Sequence, residues 1–497
     1  MADIVLTTLN ARYYHCAASL YFLKANLGEL EERAEIREFH IKQDPDFIAS
    51  ELLALEPRIL MVSVYIWNVE KLRELLLILH QRAPDVDIIL GGPEVSYAPQ
   101  DPLLVDLADY IVCGEGEHAA RVIAESLLSG KRPRDKMIAG KELAIDEIQL
   151  PYYLYSDHDV EHRICYIETS RGCPYKCEYC LSSLDNNVRF YPMDELLREM
   201  GTLIDRGVRL FKLLDRTFNM NIKRSNQILD FFESRYEPGM TLHMEFIPDR
   251  LPESLKESIK RFPQGALQFE IGVQSYNQDV LDRIKRKQDA VVVHKNIDWM
   301  ISETGAEIHA DLIFGLPGET EESIANGFNQ LARLYPQHIQ VNLLKLLKGT
   351  PIVRHTKEWG MVYDTTAPFE ILETSTIESA RMDKLRQFAR YWTLFHNQGR
   401  FRRSLPLIWE NADPYPRFMA LSTYLFERFH RRHNIDLLDQ TRALFEFLTD
   451  EIGVAPDVAA APIAEDFADG GRRKVPLFLK HCLTPDTRDE IKRDMVR

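Results

Sequence analysis

Three cysteines, Cys173, Cys177 and Cys180, lie in the run Thr169-Ser-Arg-Gly-Cys-Pro-Tyr-Lys-Cys-Glu-Tyr-Cys180. Their spacing is C-x3-C-x2-C, with an aromatic residue directly before the last. Three thiolates on one tight loop can hold three corners of an iron–sulfur cube, which leaves the fourth corner open to a substrate or cofactor. Zinc is the rival occupant. Structural zinc sites use four ligands, often two C-x2-C pairs or paired Cys and His. No second cysteine pair follows here, and His158 and His162 precede the loop at no finger spacing. A disulfide would leave one thiol over. The pattern therefore predicts a [4Fe-4S] cluster with one coordination position free.

The segments around the loop alternate strand and helix. Ile164–Glu168 reads as a strand that feeds the cysteines. Pro192–Asp205 reads as a helix with Leu196, Met200, Leu203 and Ile204 on one face and Gly207 as its stop. Strands follow at Val208–Leu214, Thr241–Phe246, Leu267–Val273, Ile308–Phe314 and Ile339–Leu344. Six β/α units in series predict a partial (β/α)6 barrel, whose catalytic groups sit at the strand C-termini. The cysteine loop falls at such a terminus.

Residues 1–130 alternate in the same way, with strands at Ile4–Leu9, Ile36–Ile41, Ile59–Val64, Asp87–Leu90 and Tyr110–Cys113. Helices are expected near Ala17–Leu27, Pro45–Leu55 and Val69–Leu79. This predicts an α/β, doubly wound, Rossmann-like parallel sheet that binds ligands at its strand C-termini. The loops there carry Asn10, Ser63, the pair Gly91 and Gly92, and the run Gly114, Glu115 and Gly116. Such glycines either admit a bulky ligand close to the backbone or serve as plain turns. Residues 131–160 read as a polar linker, 161–360 as the barrel, and 361–497 as a helical C-terminal domain without a catalytic motif. That last region has helical spacing at Ser379–His396, Pro416–Arg431 and Leu437–Ile452, and a short basic tail after Gly470.

The chain has 497 residues, a formal net charge of -15, 45% hydrophobic residues and seven cysteines. The acidic balance argues against sequence-blind nucleic-acid binding. Few cysteines, three of them clustered, suit a reducing compartment. No basic-then-apolar leader and no apolar run of about 20 residues is read, so a cytoplasmic protein without a membrane span is expected.

The cysteine loop resembles the signature of the radical S-adenosylmethionine (SAM) superfamily. It is closest to the form in proteins with an N-terminal cobalamin (B12)-binding domain, where Thr-Ser-Arg-Gly-Cys-Pro opens the motif. Gly91-Gly-Pro-Glu, Gly114-Glu-Gly-Glu and Gly315-Leu-Pro-Gly-Glu-Thr320 complete the ordered set. The resemblance covers residues 1 to about 352. It implies that the free iron chelates SAM and that cluster reduction releases a 5′-deoxyadenosyl radical. Leu213-Leu-Asp-Arg-Thr-Phe218 and Phe269-Glu-Ile-Gly-Val-Gln-Ser275 resemble the second- and fourth-strand motifs. The implied SAM contacts are Asp215, Gln274, Gly315, Leu316 and Pro317, with Glu245 and Glu270 as further inward candidates. Arg286 could reach a carboxylate, but its amphipathic surroundings favour a water-facing side chain.

By the same resemblance, Asn10, Ser63, Gly91, Gly92, Gly114, Glu115 and Gly116 are expected at cobalamin. The Asp-x-His-x-x-Gly string that supplies a lower cobalt ligand is absent; His15 and His40 do not fit it, and His15 reads as a loop residue. The implied activity is methylation of an unactivated carbon through methylcobalamin and a substrate radical, the helical domain closing over the substrate. Alternatives are a rearrangement or cyclisation without methyl transfer, and a cobalamin- or redox-sensing binding protein. A small-molecule or peptide substrate and an electron donor such as flavodoxin or ferredoxin are the implied partners.

Overall fold

The computed structural model describes residues 2–98, 100–469, 474–487 and 491. Of the basic tail expected after Gly470, residues 471–473, 488–490 and 492–497 lie outside the described residues.

Strand β1 (Ile4–Asn10) is the hub of the first sheet, and all of its residues are buried, as befits a central strand covered on both faces. Its two threonines are satisfied by neighbouring strands: Thr7 Oγ1 donates to the Arg37 carbonyl (2.6 Å) and Thr8 Oγ1 to that of Ser63 (2.8 Å). The sheet continues with β2 (Ala34–His40), β3 (Ile59–Ser63), β4 (Asp87–Gly91), β5 (Tyr110–Cys113) and β6 (Met137–Ala139). Its order is β2-β1-β3-β4-β5-β6, with all pairs parallel. The order reverses between β1 and β3, and the crevice at such a switch point is where these sheets bind ligands. The helix Val69–Arg82 buries Val69, Leu72, Leu75, Leu76 and Leu79, the stripe its period requires.

β6 lies in the stretch that reads as a polar connector. As an edge strand it keeps Met137 40% exposed, so it carries too weak an apolar alternation to be seen in the sequence. Short helices at Pro102–Leu107 and Glu117–Leu128 were likewise not expected.

The second sheet runs β7 (Cys165–Ile167), β8 (Leu210–Leu213), β9 (Thr241–Phe246), β10 (Leu267–Gln274), β11 (Glu307–Phe314) and β12 (His338–Leu343). Its strands pair in parallel in chain order, and among the described residues no pairing joins β12 to β7. This is a partial barrel. Alternation sorts its faces: in β9, Leu242, Met244 and Phe246 are buried while Thr241, His243 and Glu245 are half-buried. The concave face is polar. Burial pushes the Glu270 carboxyl up, but His243 and Lys212 bring it down to about 2.

Helices Ser379–Trp392, Pro414–Phe429, Leu437–Glu446 and Pro456–Asp469 form the C-terminal region. The first and third each end in a π-type turn. These helices share the barrel's core through an aromatic cluster. The Phe328 ring, on the helix Glu321–Ala332, lies 4.7 Å from Trp392 and 4.9 Å from Phe388. Asn397 hydrogen-bonds both backbone groups of Ile339 in β12. The region packs along the last-strand flank of the barrel, and it also reaches the end of β11, through Phe388 beside Phe314, Ile371 and Met382 beside Gly315, and Thr376 Oγ1, which donates to Glu319 O (2.7 Å).

Candidate functional site

The cysteine loop is built for a fixed shape. Gly172 has φ +86°, and a Cβ there would come within 2.2 Å of the Asn187 carbonyl, so only glycine fits. Cys173 N–H donates to Asp185 O (2.9 Å) and Cys180 N–H to Cys177 O (3.1 Å). Asp215 anchors the entry. Its carboxylate accepts from Thr169 N–H (2.9 Å), Thr169 Oγ1 (2.6 Å) and Ser170 Oγ. Burial pushes the Asp215 carboxyl up, against those donors. Its oxygens hold the strand-to-loop turn, a role that spacing could not reveal.

Glu178, between the second and third cysteines, is buried, ion-paired with Lys285 (3.0 Å) and Arg354 (2.5 Å), and hydrogen-bonded to His355 Nε2 (2.8 Å). Nothing in the sequence singles it out, because these partners lie more than a hundred positions downstream. Cys173 and Cys177 are buried, Cys180 is half-buried, and all three are free thiols. Among the described residues no three His, Cys, Asp or Glu side chains converge as ligands of a single ion. Zinc ligands would have to, each about 2.3 Å from one metal when the donor is sulfur. Three thiols on one short loop are the kind of donor set that holds three irons of a cube.

The seven residues expected at cobalamin, Asn10, Ser63, Gly91, Gly92, Gly114, Glu115 and Gly116, all line one cavity of about 730 Å³. It lies at the C-terminal ends of the first sheet. Glu168, Ser170, Arg171, Gly172 and Arg216, in the segments that follow β7 and β8, line its other side. The positions differ in what they do. A Cβ on Gly114 (φ +94°) would meet nothing within 4 Å, so its face is open to a ligand. One on Gly92 would come within 2.5 Å of Val64 O, so that glycine permits a backbone crossing. Asn10 spends its amide on Glu38 (2.6 Å) and His15 O (3.0 Å). His15 also lines the cavity, its Nδ1 2.6 Å from the Tyr166 hydroxyl. Burial and the cations Lys212, Arg12 and Arg163 hold its pKa below the usual value, which favours a neutral imidazole.

The acidic residues of the first-sheet loops clamp the two sheets together. Arg171, inside the cysteine motif, donates to Glu117 (2.6 Å) and Glu168 (2.8 Å), lies 3.6 Å from Glu115, and stacks over Phe22 at 5.1 Å. Glu115 is also paired with Arg189. Glu94 is buried and receives Lys348 at 3.4 Å. Glu115 thus borders the cavity with its charge already matched.

The remaining SAM candidates sit elsewhere. Gln274 ends β10 at a bulge with φ +68°. Its amide Nε2 occupies the space where a Gly272 side chain would lie, 2.3 Å from that Cβ position. Gly315, Leu316 and Pro317 are buried, with Ile371 and Met382 packed against Gly315. Glu245 pairs with Arg216 at 3.2 Å. Arg286 corrects the sequence reading. It is 8% exposed and donates to Gly272 O (2.7 Å), Gln288 Oε1 (3.0 Å) and Cys177 Sγ (3.7 Å). The turn at Ile284–Lys285, where Lys285 has φ +54°, points it inward and defeats a helical-period argument.

Glu319, in the loop after β11, is buried and accepts from Ser275 Oγ, while its Oε2 has no partner. Burial pushes its carboxyl up to about 8. The folded chain therefore keeps a proton that the unfolded chain releases near the ordinary glutamate value of 4.5. Stability from this group is complete below that value and declines as pH rises toward 8. Between pH 6 and 8 the loss is on the order of 2 kcal/mol. Thermal melts of Glu319→Gln should show a smaller fall in Tm over that interval than wild type; an equal fall refutes the assignment.

Three family models match in chain order. Residues 5–124 match the B12 binding domain, 167–331 the radical SAM superfamily, and 357–496 a family described as a protein of unknown function, DUF4080. An uncharacterized methyltransferase, PH0819, of Pyrococcus horikoshii is 23% identical over 54% of this chain and 62% of its own length. The cobalamin-dependent radical SAM methyltransferase TokK of Streptomyces tokunonensis is 23% identical over 62% of this chain and 51% of its own. The chain thus spans between half and two thirds of these relatives. The radical SAM methyltransferase TsrM of Kitasatospora setae, solved with cobalamin and a [4Fe-4S] cluster bound, shares the fold with a TM-score of 0.60. It is 16% identical, and the match covers 100% of this chain and 99% of that one. The chain thus contains a segment that matches the B12 binding domain and one that matches the radical SAM superfamily, joined through one cavity and one buried arginine.

Proposed function

We propose that the protein is a cobalamin-dependent radical SAM methyltransferase acting on an unactivated carbon of a small molecule or peptide. The observation that carries this reading is the shared cavity. The strand-end loops of the B12-binding sheet and the segment leading into the cysteine loop face the same space. The relatives' own names, TokK and TsrM among them, point the same way.

When bound, the cluster with SAM supplies a hydrogen-abstracting radical and the corrinoid supplies the methyl group. The chain's residues hold, orient and shield. Cys173, Cys177 and Cys180 would hold the cluster, with no protein donor to the fourth iron. Asp215 fixes the turn that presents them. Gln274 and Gly315–Pro317 stay the candidate SAM seats, and Asn10, Ser63, Gly91, Gly92, Gly114, Glu115 and Gly116 the walls of the corrinoid site. The buried Arg171 ionic network closes the seam between the sheets and excludes water from it. No helix among the described residues is long and apolar enough to cross a membrane. A cytoplasmic setting and a flavodoxin or ferredoxin as electron donor belong to the same proposal.

The test is anaerobic reconstitution with iron, sulfide, SAM and cobalamin, followed by product counting under reduction. Methyl transfer releases S-adenosylhomocysteine beside 5′-deoxyadenosine. Release of 5′-deoxyadenosine alone would favour a rearrangement, and no reductive cleavage at all would leave only a binding protein.

A further inference from the structure

The chain leaving β12 ties the cysteine loop to the turn that follows β11. It first meets Glu178, between Cys177 and Cys180. Ile352 N–H donates to Glu178 O (2.9 Å), and His355 Nε2 lies 2.8 Å from the Glu178 carboxylate. Trp359 N–H then donates to His355 O (3.0 Å). The Trp359 ring lies against Gly318, the last residue of Gly315-Leu-Pro-Gly318. A Cβ on Gly318 (φ +74°) would come within 2.7 Å of that ring and 2.6 Å of Arg283 Nη1, so only glycine leaves room for both. Arg283 completes the contact. Its guanidinium carbon sits 4.3 Å from the Trp359 ring centroid, and its Nη1 donates to Pro317 O at 2.6 Å.

Among the described residues the Arg283 side chain has no hydrogen-bond acceptor besides Pro317 O. Its aim therefore depends on the ring beneath it, because an aromatic face attracts a cation held close over its centroid. Trp359 is fixed in turn through its backbone, its N–H on His355 O and its carbonyl accepting from Ser375 N–H (2.8 Å). The indole N–H is buried without a partner, so packing and the stacked guanidinium place the ring. A second hold reaches the same turn from nearby, where Thr376 Oγ1 donates to Glu319 O (2.7 Å).

We propose that residues 351–359 are a strap that fixes the span of the SAM seat, with Trp359 a positioning residue that holds Arg283 on the Pro317 carbonyl. The inference rests on the proposed reading in which the open iron takes the amino-acid end of SAM and Gly315–Pro317 seat its adenosyl end. A ligand held at both ends gains full affinity only when the two seats are already in register. The strap supplies that register, because one short segment touches the cysteine loop through Glu178 and the turn through Gly318 and Arg283. Loosening it at Trp359 leaves the three thiols in place and frees the turn.

The experiment is equilibrium dialysis of labelled SAM against anaerobically reconstituted full-length protein, as wild type, Trp359→Leu, Trp359→Phe, Arg283→Gln, the Trp359→Leu/Arg283→Gln double variant and Lys357→Met. Iron and acid-labile sulfide are measured first. A wild type that takes up no cluster or binds no SAM would sink the proposed function itself, and this inference with it. With SAM bound by wild type, Trp359→Leu should raise its Kd about tenfold at unchanged iron content, the scale of one hydrogen bond from a charged donor. At saturating SAM the yield of 5′-deoxyadenosine should return close to that of wild type, a split between binding and turnover that a general loosening of the fold would not give. Trp359→Phe, which keeps an aromatic face, should bind closer to wild type. Arg283→Gln should match Trp359→Leu, and the double variant should lose little more than either alone. Lys357→Met, exposed on the same strap, should bind as wild type does. A wild-type Kd in Trp359→Leu, or losses that add in full in the double variant, overturns the proposal. Should Trp359→Leu fail to take up iron, Arg283→Gln decides: weaker SAM binding at full iron supports the role, and a wild-type Kd refutes it.

Discussion

Replacing Cys173, Cys177 or Cys180 singly by alanine is expected to abolish reductive SAM cleavage and to strip most of the iron from reconstituted protein. The expectation follows from ligand count. A cube held by three thiolates has no spare protein donor, so the loss of one leaves two corners open. The other cysteines give the contrast. Burial pushes the Cys165 thiol up to about 12, so it stays protonated, and a neutral thiol is a poor metal ligand. Cys16 is pushed up by burial in the same way. Alanine at Cys16 or Cys165 should therefore leave iron content and SAM cleavage near wild type. Iron per chain, the visible absorption of the cluster and the yield of 5′-deoxyadenosine check both halves. Full iron in a Cys177→Ala protein would refute the ligand assignment.

Arg171→Met should cost the most stability of any single change at the seam between the sheets. It removes the cation that serves Glu117 and Glu168 together, each with little exposed side chain. Uncompensated buried charge of this kind costs about 3–5 kcal/mol. The change should lower Tm by several degrees and weaken retention of hydroxocobalamin, because Arg171, Glu115 and Glu117 all border the cavity. Adding Glu117→Gln to Arg171→Met should restore part of the stability, since one orphaned charge is then gone. A double variant as unstable as the sum of the two single changes would show that the pair does not act as a unit. Thermal melts and the corrinoid absorption retained after gel filtration give the two readouts.

Features formed by residues close together in the chain are legible in the sequence. The cysteine spacing, the glycine-rich strand ends and the apolar stripes at Val69–Leu79 and Pro192–Asp205 are local patterns, and local geometry dictates them. The helix Met193–Asp205 buries the four residues its period demands. All seven strand-end positions meet in one cavity because a parallel sheet gathers its C-terminal loops on one edge, whatever the loops contain.

The charges are not legible in that way. Asp215 reads as a cofactor contact, and nothing along the chain shows that it holds Thr169 and Ser170 from 46 and 45 positions away. Arg286 reads as solvent-facing, yet one left-handed residue, Lys285, turns it onto a sulfur 109 positions earlier in the chain. Glu178 carries no signal, and the motif that contains Arg171 says nothing of its partners, because an ion pair has no period and no spacing. The sequence by itself determined the chemistry on offer: three thiolates in one loop, and two sheets with open ends. Only the tertiary structure decided which buried charge meets which, since a salt bridge is selected by the three-dimensional cost of leaving a charge alone, and that cost is invisible along the chain.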